Sequence, residues 1–231
     1  MSRATQHPKK RLRRVLRENG LSIAVIAFFL ACMLGQSIAG HGHYNEGRRT
    51  HGESSVTYAG YLRSGHFLEA TMENWESEFL QMFAFLLFTA FLYQRGSAES
   101  KKLDGSEPSG RDPRQSMGKA SAQWPVRRGG LALKLYAHSL SLAFLLLFLF
   151  SFAMHAVGGA RAYNEEQLAH GGEAVTSVEY ARTSQFWFES MQNWQSEFLA
   201  LAAMVILSIF LRERGSPQSK PVDAPHSATG E

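Results

Sequence analysis

The sequence predicts an all-α membrane protein with four transmembrane helices. They form two parallel two-span repeats, each with an amphipathic extracytoplasmic loop helix. Three observations predict it. Shifted by 119 positions, residues 16–101 align without a gap on residues 135–220, and 32 of the 86 aligned pairs are identical, which marks an internal duplication. Four stretches, 21–38, 79–93, 135–157 and 198–211, are almost free of charge. Between them, the balance of Lys and Arg over acids alternates along the chain, as it does in multi-pass proteins.

The elements follow in order. Residues 1–18 are a basic arm; residues 1–20 carry seven Lys/Arg against one Glu. Repeat 1 covers 19–95, with spans at about 21–40 and 75–94. Residues 96–130 are Ser-, Gly- and Pro-rich and read as a disordered cytoplasmic linker. Repeat 2 covers 131–215, with spans at about 135–157 and 194–212, and residues 216–231 are a tail. The first and third apolar stretches approach the roughly 20 residues needed to cross a bilayer. The second and fourth are shorter, and the aromatic-rich lead before each completes the span. A signal peptide does not explain residues 21–38, because their copy at 135–157 lies mid-chain. A soluble bundle is excluded by runs such as residues 144–150, Phe-Leu-Leu-Leu-Phe-Leu-Phe, which have no polar face.

Charge sets the orientation. The stretch 94–134 carries nine Lys/Arg against four acids, whereas loops 41–76 and 158–195 carry three and two Arg, each against five Glu. The N-terminus, centre and C-terminus are therefore expected on the cytoplasmic side of the plasma membrane and the two loops outside. The basic pI then belongs to the flanks and does not indicate nucleic acid. Cys32 is the only cysteine and falls inside a span, so no intrachain disulfide or cysteine metal site is expected.

Within each copy, glycine (Gly40; Gly158 and Gly159) is placed at the end of the first span. Thr176 and Glu179 have capping-box spacing at the start of a short helix, and Thr57 keeps only the cap. Tyr58, Tyr61, Trp75, Trp187 and Trp194, with Tyr180, read as interfacial anchors of an outer aromatic belt. Ala27, Ala31, Gly35 and Ala39 form a small-residue stripe, suited either to a homodimer or to packing against another span of the same chain.

Two charges are left over by this topology, Glu78 and Glu197, at equivalent positions just inside the outer boundary. Intramembrane carboxylates point to a polar site with a partner. His155 is the expected partner of Glu197 and Gln36 that of Glu78, with Asn74 and Asn193 supplying further hydrogen bonds. The alternative is that both carboxylates reach into headgroups or only pin their helices. His41, His43, His51 and His66 share one loop, but only His51 recurs in the second copy, as His170. No metal site and no cofactor is therefore expected.

The blocks Tyr44-Asn45-Glu46 and Tyr163-Asn164-Glu165, Asn74 to Leu80 and Asn193 to Leu199, and Arg95-Gly96-Ser97 and Arg214-Gly215-Ser216 carry a resemblance. The opening Leu16-Arg17-Glu18-Asn19-Gly20 adds to it. Together they resemble a family of uncharacterised bacterial four-span integral membrane proteins, known only as a domain of unknown function. The resemblance implies location and topology and brings no activity. The chain carries no phosphate-binding glycine loop, nucleophile elbow or zinc-protease motif. The expected role is therefore a non-enzymatic structural or accessory component of the cell envelope, with the lipid bilayer and a homodimer or envelope protein as partners. The alternative is a small transporter or channel using Glu78 and Glu197. Reporter fusions after Lys101 and after Lys220 should both read cytoplasmic; an external signal at Lys101 would break the two-span repeat.

Overall fold

The computed structural model describes residues 8–103 and 107–230. Among these residues it is all-helical, without strands. The long helices are α1 (Pro8–Thr50), α3 (Gly65–Phe91), α6 (Ser139–Ala169) and α8 (Ser184–Phe210). Short helices α2 (Tyr58–Tyr61) and α7 (Ser177–Tyr180) precede α3 and α8, and α4 (Trp124–Arg128) and α5 (Gly130–Ala137) lead into α6. Arg11–Thr50, Ser139–Ala169 and Ser184–Phe210 are long and apolar enough to cross a membrane. Their apolar side chains, including Leu21, Phe28, Leu146 and Leu199, are widely exposed on the chain itself, as lipid-facing helices require. Helix α3 is as long as α8 but is not in that set, because Glu69, Glu73, Glu76 and Glu78 crowd its first half.

The chain divides into two compact units, Met1–Phe67 and Leu68–Glu231, with the boundary inside α3. In the first, α1 continues ten residues past Gly40. That glycine is not a helix end: a Cβ there would overlap the Tyr61 ring, which lies against the helix and is buried. Tyr61 packs with Tyr44, His66 and Phe67, and Ser37 Oγ lies 2.6 Å from the Tyr58 hydroxyl. Asn45 holds the return loop, its amide donating to Val56 O at 3.0 Å and its oxygen accepting from Val56 N at 2.8 Å. The small-residue stripe Ala27, Ala31, Gly35 and Ala39 is exposed.

In the second unit, the same local bonds occur 119 positions on. Helix α6 runs past Gly158 and Gly159 to Ala169, and a Cβ at Gly159 would overlap the Tyr180 ring. Asn164 brackets Val175 at 2.8 and 2.7 Å. Gly52 and Gly171 follow α1 and α6 with φ of 75° and 77°, the left-handed geometry that closes a helix C-terminus. Thr176 and Glu179 form the full capping box, and the Thr176 backbone and hydroxyl donors hold the Glu179 carboxyl below its ordinary range. The glycines were expected to end the spans. Gly40 and Gly159 instead sit more than two turns inside helices that run on to Thr50 and Ala169, and their missing side chains admit a tyrosine.

The start of α6 and the segment after α3 also differ from expectation. The third apolar stretch is not one helix: it breaks at His138, where the Ser139 hydroxyl donates to the Tyr136 carbonyl at 2.9 Å. The segment expected to be a disordered linker contains α4, the start of α5 and two 3-10 helices, Pro108–Gly110 and Pro113–Ser116; residues 104–106 lie outside the described residues. Its first residues are docked. Ser97 is buried and meets Ser208 Oγ at 2.9 Å, and Gly96 N donates to Thr229 Oγ1 at 2.8 Å. Lys220 is buried among the carbonyls of Gly96, His226 and Ala228, and burial pulls its ammonium below the ordinary lysine value. Serine and glycine supply these turns with local hydrogen bonds, so scarcity of apolar residues did not preclude order.

Two glycines give opposite expectations. Gly159→Ala drives a methyl into the Tyr180 ring, costing about 1–3 kcal/mol by overpacking. Gly35→Ala meets nothing within 4 Å and should be neutral or raise stability by up to about 1 kcal/mol through helix propensity. Thermal unfolding of both variants in detergent checks the contrast; equal melting temperatures would contradict it.

Candidate functional site: a buried acid–histidine cluster

The second unit gathers ionisable groups where α3 meets α6 and α8. A Cβ on Gly158 would come within 2.9 Å of Glu69 Cα, so the α3 backbone lies directly on α6 there. One turn earlier on α6 stands His155, fully buried. Its Nδ1 lies 2.8 Å from Glu76 Oε2 and its Nε2 3.4 Å from Glu189 Oε2, with Glu73 at 4.0 Å. Phe186 stacks on the imidazole at 4.6 Å between centroids, and Phe152 meets Phe186 edge-on at 5.1 Å. Tyr180, Ala156, Ala160 and Phe186 form the apolar wall.

The cluster closes on itself. Trp194 Nε1 donates to Glu76 Oε1 at 2.8 Å, so both oxygens of that buried carboxylate are engaged. The Tyr180 hydroxyl lies 2.9 Å from Glu69 Oε1 and 2.8 Å from Glu189 Oε2. Gln185 donates to the other oxygen of Glu189 at 3.0 Å. A phenol has one proton to give, so it donates to one carboxyl and accepts from the other. Burial, the largest effect, pushes the phenol well above its ordinary pKa and keeps it protonated. Glu69 lies ahead of the span, and burial again raises its carboxyl, to about 7. Protonated Glu69 donating to Tyr180, and Tyr180 to Glu189, is the arrangement in which every contact is a hydrogen bond. Glu73 and Glu189 keep 23% and 21% of their side chains exposed, so the cluster opens at one edge.

The residues expected to form the site are distributed differently. His155 is central, but its partners are Glu76, Glu189 and Glu73, and the expected pairing with Glu197 does not occur. Glu197 sits farther along α8, half-buried, with Glu78 as its charged neighbour and Gln81 donating to its backbone carbonyl at 2.8 Å. Glu78 and Gln36 are exposed. Asn74 donates to Ala70 O on its own helix, whereas Asn193 donates to Glu189 O and its side chain also hydrogen-bonds Glu73 of the cluster. Of the expected anchors, Trp187 is exposed on the apolar surface, whereas Tyr61 and Tyr180 are fully buried wedges and Trp194 belongs to the cluster. A planar aromatic with a polar tip suits an interface, but here a glycine opposite each tyrosine draws it inward.

Glu69, Glu73, Glu76 and Glu189 were counted as loop charges. Their signal was present: Glu69, Glu73 and Glu76 at i, i+4 and i+7 form one helical stripe. The loop histidines have separate partners; His41 meets Val56 O and Asn45, and His51 meets Gly47 O. Among the described residues, the ligand-type atoms that converge are those of Glu69, His155 and Glu189.

Apolar membrane-length helices enclosing a polar cluster define a helical protein with the character of a membrane protein. A family model described as a domain of unknown function (DUF6766) matches residues 12–231, and the chain belongs to that family. No curated protein and no solved structure matches it.

Substitutions rank the groups. Glu76→Gln keeps the shape but weakens charge-assisted bonds, costing roughly 1.5–3 kcal/mol. Glu76→Ala leaves His155 without its buried partner, costing roughly 3–5 kcal/mol. Glu78→Gln, on an exposed carboxylate, should stay within about 0.5 kcal/mol. Unfolding titrations in mixed micelles measure the series; a Glu78 variant as damaging as Glu76→Ala would reverse the assignment.

Proposed function

We propose that this chain is a multi-pass protein of the cell membrane, with four spans in two parallel repeats and both termini cytoplasmic. It acts as a non-enzymatic structural or accessory component of the envelope, and the acid–histidine cluster locks the outer ends of α3, α6 and α8. The observation carrying this reading is the closure of the cluster. His155, Glu76, Trp194, Tyr180 and Glu189 satisfy one another, as a lock requires. The loop fixed by Asn164 would then present a rigid surface to an envelope protein.

A second reading, a small transporter, has one observation in its favour: Glu73 and Glu189 leave the cluster open at an edge. It moves the polar site from Glu78 and Glu197 to the cluster. Cross-linking and copurification from native membranes should recover an envelope protein with the chain, and proteoliposomes of the pure chain should pass no more ions than empty vesicles. Ion flux that disappears in Glu73→Gln would replace the accessory role with transport.

A further inference from the structure

Three ligand-type groups from three helices face one point in the cluster. The atoms offered by Glu69, His155 and Glu189 all lie within 4.8 Å of one another. His155 Nε2 and Glu189 Oε2 are 3.4 Å apart, which is about the edge of a tetrahedron with bonds of about 2.1 Å to a central ion. Glu69 Oε1 and Glu189 Oε2 flank the same Tyr180 hydroxyl, so closing the third corner takes side-chain rotation rather than helix movement.

The imidazole is already aimed. Its Nδ1 is bound to Glu76, and Glu76 is fixed by Trp194, which leaves Nε2 directed at the carboxylates. A carboxylate on the distal nitrogen is the arrangement that orients metal-ligating histidines. Charge agrees with this. Glu69, Glu73, Glu76 and Glu189 surround one imidazole, and among the described residues no Lys or Arg pairs with any of them. The exposed edges of Glu73 and Glu189 give an entry path.

We propose that Glu69, His155 and Glu189 bind one divalent first-row transition-metal ion, of which zinc is the type, with Tyr180 and Glu73 alongside. An imidazole with two carboxylates suits zinc, manganese or iron better than calcium or magnesium, which take all-oxygen sites. The ion displaces two protons to solvent, one from Nε2 and one from the Glu69 carboxyl, and bridges α3, α6 and α8, so it tightens the lock on which this inference rests. The site is single. Positions 119 residues away from His155 and Glu189 hold Gln36 and Ala70, and the position equivalent to Glu69 holds Phe188.

The test uses the full chain in detergent, with any affinity tag removed and metals stripped by chelator. Cobalt(II) should give the visible absorption of a low-coordinate site at one ion per chain, and zinc should displace it and raise the melting temperature. His155→Gln should abolish the spectrum, Glu76→Gln should weaken affinity about tenfold or more through the imidazole, and Glu78→Gln should leave it unchanged. X-ray absorption of the zinc-loaded wild type decides the matter even where variants fail to fold. One imidazole with oxygen ligands supports the site. A shell of several imidazoles places the ion on the loop histidines and overturns it, as does wild-type chain that takes no ion. If no ion binds and Glu76→Ala still destabilises the chelated protein, the metal site falls and the lock stands. If Glu76→Ala changes neither, both fall.

Discussion

The second unit depends on two absent side chains. Gly158 lets the α3 backbone rest on α6, and Gly159 lets the Tyr180 ring do the same from another side. The α3 acids and the Tyr180 hydroxyl are placed by these contacts. Tyr180 carries its hydroxyl to Glu69 and Glu189, and the α3 approach carries Glu76 to His155 one turn deeper. A methyl at either glycine would hold the helices apart by more than the tolerance of a 2.8 Å hydrogen bond, because packed interiors transmit small displacements.

Burial then turns placement into strength. His155 and Glu76 have no exposed side-chain surface, and Phe186 covers the imidazole. In such surroundings each hydrogen bond is stronger than in water, and each unmade one costs correspondingly more. Continuous satisfaction, from Gln185 through Glu189, His155 and Glu76 to Trp194, is therefore the condition under which these charges can be buried at all. It also explains why the cluster lies at a helix crossing near the loops: a deeper position would lack the tyrosine and tryptophan that complete it.

Much of the fold was legible in the sequence. Charge-free stretches located the long helices, Thr176 with Glu179 gave a capping box that forms in full, and the recurring Asn45 and Asn164 hold equivalent loops. What was illegible is physically consistent. Gly40 and Gly159 look like helix ends because glycine closes helices, yet these glycines receive tyrosines from loops whose path no local pattern reveals. Linker residues Ser97 and Ser100 looked disordered, although their hydroxyls bond Ser208 and the Gln94 amide in tertiary structure.

The site is hard to see in the sequence because the duplication highlights what the two halves share. Glu78 and Glu197 recur, but neither lies in the cluster, whose acids and histidine are positions where the halves differ. A duplicated helix pair begins with two equal sets of contacts, and equal like-charged groups facing each other are costly to bury. Divergence removes that conflict. With Glu69, Glu73 and Glu76 on α3 facing His155 of the other half, acid meets base and each half supplies what the other lacks. The equivalents of Glu73 and Glu76 are Gln192 and Gln195, which keep the shape of the side chain while removing its charge. One buried charged site from two similar halves is the arrangement electrostatics favours, so in such chains the differences between copies locate the chemistry better than the identities do.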